Sequence, residues 1–333
     1  MALLSKEFKN ALSAIEPGVD AEHARDAHAE VRDVLDMDDE LRGWGLKTLL
    51  IGSYAREVSI RRVKDVDVFC ELPELPDGYG PQDLLGKMAA VLADEYGDRV
   101  AENDRSVKVE FPEFDMHVDI VPARSCGNAW EIPNRDGGWE KTDPVEFGSL
   151  SSTRNADFDQ NYVPVVKLAR QTRRALLGEE SKPGGLFVEV AAYHAFANLP
   201  LATGDDALGS TAEYYTRALA QMAPLIRGHA DGSERLTNPA LPDQELEVRA
   251  TQDEFDALAD KWEEAAMTAE EAFESEDDHD AAEGFKSLLG ENSDGDEVFP
   301  VPAVPSEAAA AATDALRTPG RKSLPSGDSP TFG

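Results

Sequence analysis

Leu50 to Phe69 reads LIGSYAREVSIRRVKDVDVF. An apolar run closes on Gly52-Ser53, and about a dozen residues later Asp65 and Asp67 stand two positions apart in a second apolar run. Side chains alternate between the two faces of a strand. The two carboxylates therefore leave one face together, within reach of a shared cation, while Val66 and Val68 enter a core. Strand interiors are depleted in Asp, so such a pair signals chemistry. Glycine lets a backbone approach a phosphate closely, and amides at a helix start favour anions. Gly52 and Ser53 thus read as phosphate contacts, the Ser53 hydroxyl adding one donor. Together these features suit gripping a metal-bound nucleotide.

On either side the chain alternates helices and short strands. Ser5 to Trp44 carries apolar residues at helical spacing, including Phe8, Leu12 and Ile15 and then Val31, Val34 and Leu35, broken at Pro17-Gly18 into two helices. LKTLLIG and VDVFCEL are short strands, and Pro81 to Gly97 is a helix with Pro at its start and Gly at its end. VKVEF and MHVDIVPA alternate as sheet strands do. The sum is a small mixed sheet with helices on one face, completed near Pro122, followed by a loop-rich stretch from Arg124 to Asp159. Helices are then expected over Tyr162–Leu177, Leu186–Asn198, Ser210–Arg227, Thr251–Glu274 and Ala281–Leu289. Beyond Phe299 the Pro, Ala, Ser and Gly content reads as a disordered tail.

Asp119, in MHVDIVPA, is a third candidate carboxylate. If its strand lies beside VDVF, the three acids share one patch and repel unless divalent cations neutralise them. Hard oxygen ligands suit Mg²⁺, and Mn²⁺ also fits. Two such ions roughly 3.5–4 Å apart activate an attacking hydroxyl and stabilise departing pyrophosphate. His117 reads as a packed or exposed residue on the other face from Asp119, and Tyr54 as a core residue. Arg56 is open between holding phosphate and pairing with Glu57. On the helix from Tyr162, Lys167, Arg170 and Arg174 share one side, opposite Val165, Leu168, Ala169 and Leu176. A basic strip facing a cleft would neutralise phosphate charge. KPGGLF, Lys182 to Phe187, shapes a substrate loop or is an ordinary helix entry.

The 333 residues are 41% hydrophobic, enough for two modest domains. No apolar run approaches the roughly 20 residues that span a bilayer, and the first 18 residues lack the continuous apolar core of a secretory signal. Cys70 and Cys126 have no metal-ligand spacing, which fits a reduced, cytoplasmic protein. The formal net charge is −34, from 66 acidic and 32 basic residues. That argues against extended binding to nucleic acid or anionic membranes. The bases cluster between Arg154 and Lys182, a patch suited to a small anionic ligand. The acidity itself fits solvation in a high-salt cytoplasm, as in halophiles, with an acidic docking surface as the alternative.

Gly-Ser, a short gap, Asp-x-Asp and a later strand Asp resemble the signature of the DNA polymerase β-like nucleotidyltransferase superfamily. Within it the chain is most similar to the CD-NTases, relatives of cyclic GMP-AMP synthase and oligoadenylate synthase. GSYAREVSIRRVKDVDVF, VKVEF and HVDIVPA carry the likeness in the catalytic half. YVPVVKLARQTRR, KPGGLFVEVAAYHAF, LTNPALPDQELEVRAT and FKSLLGENSDGDEVFP carry it in the helical half. The resemblance implies an α+β fold, with a catalytic domain over residues 1–150 that includes the N-terminal helices. A helical, oligoadenylate synthase-like domain over 151–299 and a tail over 300–333 complete it. It implies Asp65, Asp67 and Asp119 as catalytic ligands of two Mg²⁺ ions. Gly52, Ser53, Arg56, Lys167 and Arg170 would bind nucleotide, with Lys167 reaching the triphosphate. Nucleoside triphosphates, ATP among them, would be joined into a cyclic or linear second messenger of anti-phage (CBASS) defence. The product would act on a separate effector protein, and a regulatory protein partner is compatible with the family. Two alternatives remain open: a nucleotidyltransferase acting on a macromolecule, since archaeal tRNA CCA-adding enzymes share a similar stretch, or a non-catalytic nucleotide sensor.

Overall fold

A computed structural model describes residues 4–204 and 207–302. The expected tail lies, from residue 303 on, outside the described residues. The Pro17-Gly18 break separates α1 (Ser5–Ile15) from α2 (Val19–Met37), and Asp38 caps the short α3 (Asp39–Gly43) by accepting from the Leu41 amide at 2.8 Å. Then come β1 (Lys47–Ile51), α4 (Gly52–Ala55), β2 (Asp65–Leu72), α5 (Pro81–Tyr96), β3 (Val100–Glu102), β4 (Val107–Phe111) and β5 (Met116–Cys126). The strands β6 (Ala129–Pro133) and β7 (Trp139–Thr142) precede α6 (Pro144–Asp157), α7 (Tyr162–Leu177), α8 (Gly185–Phe196) and α9 (Thr211–Asp231). A hairpin of β8 (Thr237–Asn238) and β9 (Leu241–Glu245) leads to α10 (Gln252–Glu274) and α11 (Asp278–Leu289).

The main sheet runs β1-β2-β5-β4-β3, with β6 on the far half of β5 and β7 on β6. All these pairings are antiparallel except β2 with β5, whose parallel connection runs through α5, β3 and β4. The alternation in β2 works as expected. Val66 and Val68 are fully buried with α2 and α5, while Asp65 and Asp67 leave the opposite face.

Two apolar cores form. One joins the sheet to α2 and α5 and includes Val31, Leu85, Met88, Val118 and Ile120. The other is helical and includes Tyr162, Leu168, Phe187, Tyr215, Trp262 and Phe285. Burying each such side chain contributes about 1.5–3 kcal/mol. The N-terminal helix α1 belongs to the helical core: Phe8 packs edge-on to Phe285 and Phe299, with ring centroids 4.9 and 5.0 Å away. The division expected at residue 150 would cut through α6 and would assign α1 to the sheet. The described residues up to Val301 instead fall in one compact unit.

The stretch from Arg124 to Asp159, expected to be loop, is the end of β5, the β6–β7 hairpin and α6. Pro, Gly and Asn residues disguise the hairpin, and α6 is too polar to show a clear apolar stripe. Its start was written in the sequence nonetheless. Asp143 accepts from the Glu146 amide at 2.9 Å and Pro144 opens the helix, the Asp-Pro-x-Glu pattern of a capped N-terminus. No helix among the described residues is long and apolar enough to cross a membrane.

A net charge of −34 repels itself most when poorly screened. The Debye length falls from about 10 Å at 0.1 M salt to about 3 Å at 1 M. We expect Tm to rise with added KCl over that range. Relief of roughly 2 kcal/mol would move it by about 4–8 °C. A Tm independent of salt would show that the acidic surface is not under electrostatic strain.

Candidate active site

The acidic face of β2 opens on a cavity of about 560 Å³. Asp65, Asp67, Gly52 and Ser53 line one wall, and Arg170, Arg173 and Arg174 of α7 line another, with Gly185, Leu186 and Glu189 of α8. The cavity is of the size that takes a nucleotide-like ligand.

Gly52 has φ of +73°, in the left-handed region. A Cβ there would overlap the Asp67 Oδ2, so the turn and the carboxylate can be neighbours only because residue 52 is glycine. Ser53 starts the turn of α4, and its hydroxyl lies 3.0 Å from that of Ser59. Asp67 pairs in register with Ile51 of β1 on one side and with Asp119 of β5 on the other. The third carboxylate is therefore on the adjacent strand, at the same level as Asp67.

The charges press on one another. Burial, and then the carboxylates of Asp65 and Asp119, push the Asp67 carboxyl up to about 7. Asp119 is held by the Ser106 hydroxyl, which donates to its Oδ1 at 3.2 Å, and by His117, whose Nε2 lies 3.4 Å from its Oδ2. It lies outside the cavity lining, and no three acidic, Cys or His side chains among the described residues are gathered as metal ligands. In chemistry the donor set fits a hard divalent cation. Burial and then the neighbouring carboxylates disfavour the Asp67 charge, and a cation would offset both.

His117 sits on the same face as Asp119, not the opposite one. Two residues apart on a strand, the side chains must point the same way. Their proximity raises the His117 pKa, first through the hydrogen bond to Asp119. Arg56 does not pair with Glu57. It crosses to α8, where Nε and Nη2 donate to Glu189 at 2.5 and 3.0 Å, and its guanidinium lies over the Phe147 ring. Arg170 and Arg174 line the cavity as the helical strip predicted, but Lys167 does not. Its ammonium donates to both oxygens of Glu16, at 2.7 and 2.9 Å, because the α1–α2 connection runs beside that end of α7. Tyr54 packs on the sheet core and donates its hydroxyl to the Ala21 carbonyl at 3.0 Å.

Residues that the sequence did not single out complete the cavity. Arg62 and Lys64 precede β2, and Lys64 pairs with Glu179 and Glu180 across the mouth. Arg173 donates to the main-chain carbonyls of Pro183 and Glu179, both at 3.0 Å, and so fastens the loop before α8. Glu189 is fully buried. Its signal was faint: an acid in the apolar stretch LFVEVAAY needs a cationic partner.

Residues 1–155 match the Second Messenger Oligonucleotide or Dinucleotide Synthetase (SMODS) domain, which spans the Gly-Ser turn and all three carboxylates. Over those residues the chain is similar to second-messenger synthetases. A cyclic AMP-AMP-AMP synthase of Acinetobacter sp. (strain ATCC 27244 / 9458) is 26% identical over 303 residues, covering 86% of this chain and 84% of that relative. Among solved structures, CdnC of E. coli MS115-1, in a CdnC:HORMA-deltaN complex, has a TM-score of 0.66 at 19% identity. That match covers 89% of this chain and 98% of CdnC. The CD-NTase CdnG of Bradyrhizobium diazoefficiens, in complex with GTP, gives 0.65 at 18% identity and covers 95% and 99%. The structural likeness carries the fold through the helical half, beyond the SMODS domain. The chain is a nucleotidyltransferase.

Proposed function

We propose that this chain is a CD-NTase, which joins nucleoside triphosphates, ATP among them, into a cyclic or linear oligonucleotide second messenger and releases pyrophosphate. The observation that carries the reading is the wall of Asp65 and Asp67, beside Gly52-Ser53, facing Arg170 and Arg174 across one cavity. Asp65, Asp67 and Asp119 are the candidate ligands of two divalent cations, Mg²⁺ with Mn²⁺ as a substitute. When bound, such ions lower the pKa of an attacking ribose hydroxyl and neutralise charge on the leaving pyrophosphate. Gly52 and Ser53 hold the β- and γ-phosphates, with the arginines of α7 spreading their charge. Arg56, committed to Glu189, serves as a strut rather than a phosphate ligand. The polypeptide's task is positioning and charge neutralisation.

The Acinetobacter relative's product supports adenine nucleotides as substrates. The complex of CdnC with a HORMA protein supports a regulatory protein partner. Release of the product to a separate effector, in anti-phage defence within the cytoplasm, follows the family pattern. Incubation with all four triphosphates and Mg²⁺ or Mn²⁺, followed by mass spectrometry, should yield an oligonucleotide and pyrophosphate with no added acceptor. Product formed only when tRNA or a protein acceptor is supplied would overturn the messenger reading. Nucleotide binding without pyrophosphate release, with either ion and a partner present, would make the chain a sensor instead.

A further inference from the structure

Two arginines share one buried carboxylate at the back of the cavity. Glu189 is fully buried and grips Arg56 with both oxygens, while Nη1 of Arg170 lies 3.7 Å from its Oε2. One negative charge between two positive ones leaves an excess of positive charge at that wall. Asp65, across the cavity, is the other acid whose field favours the Arg170 charge. The Nε of Arg170 is buried without a hydrogen-bond partner. The side chain keeps 17% exposure through atoms other than this Nε, and those are the atoms a ligand in the cavity can meet.

The seat of this guanidinium is unusual. It lies against the backbone at the start of α8, where a Cβ added to Gly185 would come 2.7 Å from its Cζ, 2.8 Å from Nη2 and 3.1 Å from Nε. Gly185 does not have a positive φ, so its backbone would accept an ordinary side chain. Space for Arg170, not backbone conformation, is what requires glycine there.

We propose that Gly185 and Glu189 are positioning residues for Arg170: the absent Cβ lets its guanidinium lie flat on the start of α8, and the buried carboxylate fixes its rotation, so that its free edge meets the triphosphate. The inference rests on the reading of Arg170 as a phosphate ligand. It adds that the second glycine of KPGGLF, Gly185, exists for the arginine one helix away. A guanidinium held in this way loses little freedom on binding and offers its donors in a fixed fork.

The test is a double-mutant cycle between positions 185 and 170 in the full chain, read calorimetrically as the Kd of inorganic tripolyphosphate with Mg²⁺. This probe needs neither a base nor turnover. Gly185→Ala should weaken binding by about 10–30-fold, the loss of one or more charged hydrogen bonds. It should lower Tm by a few degrees at most, because the backbone there accepts alanine and only the far end of Arg170 must move. Arg170→Lys should weaken binding by a similar factor, because the amine cannot reproduce the fork. The double variant should bind within about twofold of Arg170→Lys alone, since the slimmer lysine has no guanidinium for the new methyl to displace. Losses that multiply in the double variant, or a Gly185→Ala chain that binds as tightly as the parent, would overturn the positioning role and leave the phosphate reading standing. An Arg170→Lys chain that binds as tightly as the parent, or a parent that binds no tripolyphosphate, would overturn that reading and this inference with it.

Discussion

Asp67→Asn should abolish synthesis and, in the metal-free protein at pH 8, should raise stability. Asp67 is the carboxylate between β1 and β5, in register with Asp119 and lining the cavity beside Asp65. Asparagine keeps the shape but loses the charge that would hold a cation. Deleting a single electrostatic donor at a reacting centre costs about 10²–10³-fold, and loss of a candidate metal ligand should cost at least about 10³-fold in turnover. The stability effect has the opposite sign. The folded carboxyl titrates near 7, against 3.8 for the free group. Folding is therefore unpenalised by this group below about pH 4, and it loses stability progressively as pH rises to 7. A shift of that size, reduced for the solvent contact that Asp67 keeps, corresponds to about 2–3 kcal/mol above pH 7. Thermal or urea melting in EDTA should show the variant more stable at pH 8, with the gap narrowing toward pH 5. A variant that retains synthesis, or one less stable at pH 8, contradicts this assignment.

Gly52→Ala should be nearly as damaging, by a different route. The left-handed backbone at residue 52 costs an alanine about 1–2 kcal/mol. The new methyl would also occupy the place of the Asp67 carboxylate. A displacement of about 1 Å at a reacting centre can cost 10²-fold. Activity should fall by at least that factor, with Tm lowered by several degrees. A Gly52→Ala chain with the parent's activity and Tm would contradict this route.

The placement of the acidic side chains was legible because it is written in local rules. Period-two alternation put Asp65 and Asp67 on one face, and the scarcity of Asp in strands marked Asp119, which the sheet places beside Asp67. The same alternation places His117 with Asp119, so the opposite-face expectation misapplied the rule. What was not legible lies in pairs distant along the chain. Arg56 with Glu189 and Lys167 with Glu16 are separated by 133 and 151 positions, and no local pattern announces them. Helical spacing alone puts Lys167 beside Arg170. The neighbouring α1–α2 connection decides that one faces a glutamate and the other the cavity. Membership of α1 in the helical core was hidden for the same reason, since an apolar stripe shows that a helix packs without naming its partner.

The account rests on acidic side chains of β2 and β5 acting together on divalent ions. Its most direct test is Mn²⁺ titration followed by electron paramagnetic resonance, with a non-hydrolysable triphosphate present. The unsubstituted chain should bind two ions per polypeptide, and Asp67→Asn and Asp119→Asn should each abolish binding of at least one while the protein stays folded. Two ions retained by Asp119→Asn, or none bound by the parent chain, would contradict it.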